Sequence, residues 1–240
     1  MKVGIIGNGE IGSSLAKVYR AKNTEPMIRD LTTDNISGKV DILDICIPGG
    51  VKDFVKIVNG YIYEYEPQLT IIHSTVPVGT TKKIIGNVVH SPVRGIHPNL
   101  QEGIETFVKF VGYNNDTDYK LAKKLYDSLG IETRGVKDTN ATELAKLLST
   151  TYYGLCISFH GEMKKMCDEY DIDFDVINDW TDTYNKGYTE LNMKNVVRPN
   201  LYPPKDNKIG GHCVIPNVEL LLNQFSSTAL DLIVEYKDDK

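Results

Sequence analysis

The chain has 240 residues, 41% hydrophobic and 25% charged, the balance of a globular protein with one large domain or two small ones. A formal net charge of −5 argues against a large basic face for nucleic acid. No apolar run approaches the ~20 residues of a membrane helix, and residues 1–7 lack the apolar core of a signal peptide. The four cysteines, Cys46, Cys156, Cys167 and Cys213, show no C-x-x-C spacing. That speaks against a zinc ribbon or redox dithiol, and four are too few for a disulfide framework at this length. The expectation is a reduced, cytoplasmic protein without a metal.

Residues 2–6 read as a short apolar strand. Residues 10–21 carry Ile11, Leu15, Val18 and Tyr19 at helical period. Residues 26–29 form a second strand, and residues 40–47 a third that Pro48-Gly49-Gly50 stops. A helix over 51–61 presents Val51, Phe54, Val55 and Val58 on one face. A strand over 69–73 follows, and Val78-Gly79-Thr80-Thr81 opens the next helix. Residues 88–90 and 107–111 are short strands, 116–129 a helix, and 130–134 a strand. Strands alternating with helices imply a parallel sheet covered on both faces.

The pattern changes after residues 136–139. From 140 to 170 there is no proline, and Leu144, Leu147, Leu148, Leu155, Phe159, Met163 and Met166 sustain one helix of roughly 30 residues. Another helix starts over 173–180. Residues 181–209 are polar and too long for a plain connector, so a functional loop region is expected there. Residues 214–225 and 229–236 look helical. The fold class is therefore α/β: an N-terminal Rossmann doubly wound parallel sheet over residues 1–137, then a helical domain with one long helix over 138–240. The helical part is small and would expose an apolar face, so homodimerisation through it is expected.

Gly7-Asn8-Gly9-Glu10-Ile11-Gly12 has the spacing G-x-G-x-x-G after a strand and at the start of a helix. Gly7 permits the tight turn, Gly9 lets the backbone approach a pyrophosphate, and Gly12 lets helix and strand pack closely. Asp30, 18 residues after Gly12, suits the ribose hydroxyls. Its carboxylate favours NAD, while neighbouring Arg29 keeps NADP open. Pro48, Ser74 and Thr75 follow strand ends, where ligands of open α/β sheets sit, and are placed to line the nicotinamide.

The chain resembles the UDP-glucose/GDP-mannose dehydrogenase family. The matching residues are the Gly7-Gly9-Gly12 turn, Ser74-Thr75-Val76-Pro77-Val78-Gly79-Thr80-Thr81, Ser91-Pro92-Val93-Arg94, Thr142-Glu143-Leu144-Ala145-Lys146-Leu147 and Gly210-Gly211-His212-Cys213-Val214-Ile215-Pro216, in the family's order. The family normally continues into a third, nucleotide-sugar-binding domain; here 27 residues follow Cys213. The resemblance implies NAD-dependent oxidation of a sugar-derived hydroxyl, a small-molecule substrate. In it Cys213 is the nucleophile that traps an aldehyde, Lys146 stabilises the oxyanion, and Thr75 orients water or the hydroxyl. Arg94, Thr150 and His212 fall at substrate-binding positions. Val93, Thr150 and Asn217 replace the family's glutamate, asparagine and aspartate, so two proton-transferring carboxylates are absent. Gly95-Ile96-His97-Pro98-Asn99 is similar to the His-Pro segment of prephenate-type dehydrogenases. His97 is thus a candidate acid–base group, and a prephenate-like hydroxy acid dehydrogenase an alternative. A reading from another class is a catalytically degenerate cofactor-binding sensor, or a subunit that requires a partner. On Lys146, the plainer alternative is a surface ion pair with Glu143; His73, His90 and His160 read as structural.

Overall fold

The structure is a computed structural model in which residues 1–95, 99–210 and 213–238 are described. It divides into two compact units, Met1–Lys146 and Leu147–Lys240. The first holds a seven-stranded sheet of β1 (Val3–Ile6), β2 (Met27–Arg29), β3 (Ile42–Ile45), β4 (Leu69–Ile72), β5 (Val88–His90), β6 (Lys109–Tyr113) and β7 (Thr133–Lys137). Their order is β2-β1-β3-β4-β5-β6-β7. Every neighbouring pair is parallel except β5 and β6. The expected parallel sheet is thus present, with one antiparallel pair near its edge. Helices α1 (Glu10–Ala21), α2 (Phe54–Tyr65), α3 (Leu100–Thr106) and α4 (Asp116–Leu129) complete this unit.

β1, β3 and β4 are buried at every residue, which is why they read as short, mostly apolar runs rather than alternating ones. Two apolar clusters form. Ile5, Leu15, Ile71 and Leu125 belong to one, and Ile6, Ile45, Phe54 and Ile72 to the other. Consecutive strand residues point to opposite faces, so Ile5 and Ile6 anchor different layers.

One expectation fails here, and one short helix is new. The helix expected to open at Val78 is only a 3-10 turn over Thr81–Lys83. Ile84 is already extended and Gly86 adopts φ +80°, because the chain must turn back into β5 at Val88. The seven-residue α3 was not anticipated; it is too short for a helical period to declare itself.

The long helix α5 (Thr139–Glu169) begins in the first unit and continues through the second. α6 (Asp175–Glu190), α7 (Val214–Leu222) and α8 (Thr228–Glu235) follow. α6 runs ten residues beyond Trp180, so the expected loop over 181–209 is helical for its first third. The cause is aromatic. Trp180 and Tyr184 lie with ring centroids 6.0 Å apart, Tyr184 and Tyr188 stack at 5.8 Å, and Arg198 covers Tyr184 at 4.8 Å. A polar composition hid an i, i+4 aromatic ladder.

Gly154 and Gly161 let α5 pack closely within the second unit. A Cβ at Gly154 would lie 2.4 Å from Val214 Cγ1, and one at Gly161 2.3 Å from Tyr236 Cε1. The buried Tyr236 donates to Glu162 Oε1 at 2.6 Å, and the Lys165 ammonium lies 4.8 Å from its ring centroid. Gly161→Ala is expected to lose about 1–3 kcal/mol in denaturant unfolding, as overpacking does. Unchanged stability would contradict this packing. Among the described residues no helix is long and apolar enough to cross a membrane.

Candidate dinucleotide and substrate site

The strand order puts a switch point between β1 and β3. From β1 the chain first adds β2 on one side and then β3 on the other. Ligands of open α/β sheets bind outside the strand ends at such a point. The glycine turn stands there. Gly7 adopts φ +97°, its N–H donates to Arg29 O at 2.8 Å, and a Cβ on it would meet the Cys46 carbonyl at 2.9 Å. A Cβ on Gly12 would lie 1.8 Å from Gly7 O. Around Gly9 the opposite holds: a Cβ would find no atom within 4 Å. Gly9 is also the N-cap of α1, and no side-chain hydrogen bond caps the helix there. Asn8 and Glu10 are exposed and Ile11 is half-buried.

Asp30 follows β2 and accepts hydrogen bonds from the backbone N–H of Asn8 and, at 2.5 Å, of Leu31. It therefore belongs to the glycine turn in space as well as in spacing. Arg29 is committed elsewhere. It pairs with Glu64 at 2.6 Å and Asp34 at 3.3 Å, donates to the Tyr65 hydroxyl, and lies over the Tyr61 ring at 5.1 Å. These features suit a dinucleotide: an open cradle over Gly9, a helix N-terminus and an adjacent carboxylate.

The loops after β3 and β4 touch. A Cβ on Gly49 would lie 1.9 Å from Thr75 O, so only glycine fits beside exposed Pro48. The Ser74 hydroxyl is buried and donates to Ile47 O at 2.5 Å, while Thr75 is half-buried. Gly49 belongs to the Pro48-Gly49-Gly50 turn that the sequence places beside the nicotinamide, and its close approach to Thr75 is what requires glycine there.

Glu143 was missed. It is fully buried on α5, and its carboxylate accepts from Gly79 N–H at 2.6 Å, Thr81 N–H at 2.7 Å and Thr81 Oγ1 at 2.5 Å. Burial raises its pKa and outweighs those bonds, which lower it. The alternative of a surface pair with Lys146 is corrected: three donors on residues 79–81 claim this carboxylate, away from solvent. One turn later, Lys146 Nζ donates to Val93 O at 2.9 Å. Thr142 Oγ1 lies 2.9 Å from His90 Nδ1. The first turns of α5 thus brace two strand-end segments, 74–81 and 91–94.

Arg94 is exposed, with its guanidinium 4.9 Å from the Phe110 ring centroid and donating to Val108 O. Val93 is buried in the apolar core. The three histidines read as structural are all hydrogen-bonded: His73 Nε2 to Asp44 Oδ1 at 2.8 Å, His90 Nδ1 to Thr142 Oγ1 at 2.9 Å, and His160 Nδ1 to Cys156 O at 2.6 Å. Burial pushes His90 down to about 3. In the second unit, Thr150 is half-buried and Cys213 is exposed at the N-cap of α7, in no disulfide. His97 and His212 lie outside the described residues. Among the described residues no group of three or more His, Cys, Asp or Glu side chains could hold a metal.

A curated relative, UDP-N-acetyl-D-mannosamine dehydrogenase of Methanococcus vannielii, is 27% identical over 205 residues, which is 78% of this chain and 45% of its own length. The chain is thus similar in sequence to dehydrogenases that act on a UDP-linked sugar. It spans about half the length of the curated relatives it matches. The fold agrees. A UDP-D-ManNAc dehydrogenase structure from Pyrococcus horikoshii superposes with a TM-score of 0.82 at 17% identity, covering 99% of this chain and 68% of that one. The fold extends to 3-hydroxyisobutyrate dehydrogenase of Mycobacterium tuberculosis, with a TM-score of 0.69 at 12% identity, covering 98% and 91% of the two chains. No protein-family model matches the chain.

Proposed function

We propose that the chain acts as an NAD-dependent dehydrogenase on a CH–OH group of a sugar-derived substrate, with nucleotide-linked N-acetylated sugars as the first candidates. One observation carries this reading. The Gly7-Gly9-Gly12 turn and the Asp30 carboxylate meet at the β1/β3 switch point and leave the α1 N-terminus open to an anion. Backbone amides of the turn after Asn8 would hold the diphosphate, and Asp30, itself fixed by the Asn8 amide, the ribose hydroxyls. Arg29, tied to Glu64 and Asp34, is turned away from a 2′-phosphate, which supports NAD over NADP. When bound, the dinucleotide supplies a hydride acceptor. Residues 48–50 and 74–76 would shape the nicotinamide end of the crevice.

By the family resemblance, the Cys213 thiolate adds to the aldehyde carbon and the Lys146 ammonium stabilises the oxygen. Arg94 serves the substrate's anionic part. The test is to supply NAD with UDP-N-acetyl-D-mannosamine and follow the absorbance of reduced nicotinamide. Turnover is expected with the wild type. Cys213→Ser should keep NAD affinity and stop acid formation. Tight NAD binding with no turnover on any UDP-sugar would instead favour the sensor or subunit reading.

A homodimer in the cytoplasm completes the proposal. Leu148, Tyr152, Phe159 and Met166 make an exposed stripe on α5, between 50% and 61% accessible, and Val176, Trp180 and Tyr184 make another on α6. A cavity of about 420 Å³ opens among Leu155, Phe159, Met163 and Pro199. Apolar surface of this extent calls for a partner, and a second copy of the same helices is a self-complementary one. Light scattering is expected to give a dimer for the wild type and a monomer for Phe159→Glu. A monomeric wild type would contradict this part of the account.

A further inference from the structure

Four titratable side chains form a continuous buried chain under the strand ends. Tyr19, Asp44, His73 and Lys109 are 1%, 0%, 1% and 4% exposed. The Tyr19 hydroxyl donates to Asp44 Oδ2 at 2.8 Å, and Asp44 Oδ1 meets His73 Nε2 at 2.8 Å. His73 Nδ1 lies 3.1 Å from Ser91 O and 3.5 Å from Lys109 Nζ, and Lys109 Nζ donates to Pro92 O at 3.2 Å. An interior this apolar tolerates charge only when it is paired. Here one carboxylate faces two bases.

The contacts around His73 pose a choice. Its Nε2 meets a carboxylate and must carry a proton to donate. If Nδ1 is bare, it accepts from the Lys109 ammonium and finds no donor at Ser91 O. If Nδ1 is protonated, it donates to Ser91 O and repels a charged Lys109. Each arrangement grips a different point on residues 91–94, the segment whose Val93 carbonyl takes the Lys146 ammonium.

We propose that Asp44, His73 and Lys109 form a proton-linked latch beneath residues 91–94, with Lys109 as a positioning residue that holds Pro92 and thereby sets Val93 and Arg94. Around the latch, which draws Asp44 from β3, His73 from the end of β4 and Lys109 from β6, stand Tyr19 from α1, Cys46 after β3, His90 from β5, Tyr126 from α4, Lys146 from α5, and Arg94 itself. Burial pulls Lys109 down to about 7; Cys46 and Asp44 oppose that, and Lys146 and Arg94 add to it. Burial and the Lys109 charge lower His73 as well, against the pull of Asp44. The latch therefore exchanges its proton near neutral pH. Below that point Lys109 is an ammonium and grips Pro92 O; above it the grip weakens and the segment loosens. The consequence for substrate rests on the proposed roles of Lys146 and Arg94, but the latch itself does not.

Two measurements separate these. Lysine side-chain NMR on the full chain, without cofactor or substrate, should show one lysine titrating near neutrality rather than at ~10.4. That signal should vanish in Lys109→Met, and the Val93 and Arg94 amides should titrate with the same midpoint in the wild type and stay flat in the variant. With UDP-N-acetyl-D-mannosamine and NAD, the KM for the sugar nucleotide should rise several-fold through that midpoint, while the NAD dissociation constant stays level; Lys109→Met should remove the step. Should Lys109→Met not fold, the wild-type amide titration alone decides. A lysine titration confined to the ordinary alkaline range, or Val93 and Arg94 amides that ignore the lysine's midpoint, would overturn the latch. Absent turnover with an intact amide titration would sink the dehydrogenase reading and leave the latch standing.

Discussion

Replacing Gly12 with alanine is expected to abolish dinucleotide binding and to destabilise the first unit. The added Cβ would stand 1.8 Å from Gly7 O and 2.9 Å from Gly7 C, both main-chain atoms that no rotamer can move aside. Relief requires α1 to lift away from β1, which opens the contacts of Leu15, Val18 and Tyr19 in the core. Overpacking ordinarily costs about 1–3 kcal/mol, and a clash against main chain belongs at or above the top of that range. The same displacement spoils the amide cradle. Ligand-induced stabilisation, about 2.7 kcal/mol at 100 times the dissociation constant, should vanish in the variant. Gly9→Ala is the control, because a Cβ there meets nothing within 4 Å. It should fold like the wild type and lose affinity only, since the methyl occupies the space the diphosphate needs. Equal NAD affinity in Gly12→Ala and wild type, by calorimetric titration, would contradict the packing argument.

Glu143→Ala should carry the second largest effect. The carboxylate satisfies two backbone amides and one hydroxyl in a buried corner, and its loss leaves all three without an acceptor. At about 1–3 kcal/mol for each stranded group, the total cost is about 3 kcal/mol or more. Residues 74–81 would slacken, so NAD affinity should fall along with stability. Glu143→Gln separates charge from shape. The folded carboxyl has a raised pKa, so the native state holds its proton more tightly than the unfolded chain does. That contribution to stability is full below the unfolded value of ~4.3 and is lost as pH rises through the higher folded value. The wild type should show that loss in denaturant titrations just above pH ~4.3, and Glu143→Gln should not. Identical pH profiles would show that the carboxyl titrates as it does in water.

Much of the first unit was legible because its signals are local. A glycine turn between a strand and an amphipathic helix reads directly, and α1 begins and ends where its apolar period does, at Glu10 and Ala21. Asp30 could be paired with the turn from spacing alone, and the structure brings it to the Asn8 amide. Glu143 and Lys109 were not legible for the opposite reason. Their partners lie at Gly79 and Thr81 for one and at Pro92 and His73 for the other, and no period links them. Lys109 nonetheless left a trace, as a charge between Phe107-Val108 and Phe110-Val111. The length of α6 was hidden for another reason: Tyr184 and Tyr188 sit among Asn, Lys and Thr, and their stacking under Arg198 is a tertiary fact.

The most direct test of the central claim is a calorimetric titration of the wild type and Asp30→Ala with NAD and NADP. The account predicts saturable binding of NAD, weaker binding of NADP, and loss of that preference in Asp30→Ala, because the carboxylate that selects unmodified ribose hydroxyls is gone. No heat of binding with either dinucleotide, under conditions where the protein is folded, would contradict it and leave a Rossmann sheet without its cofactor.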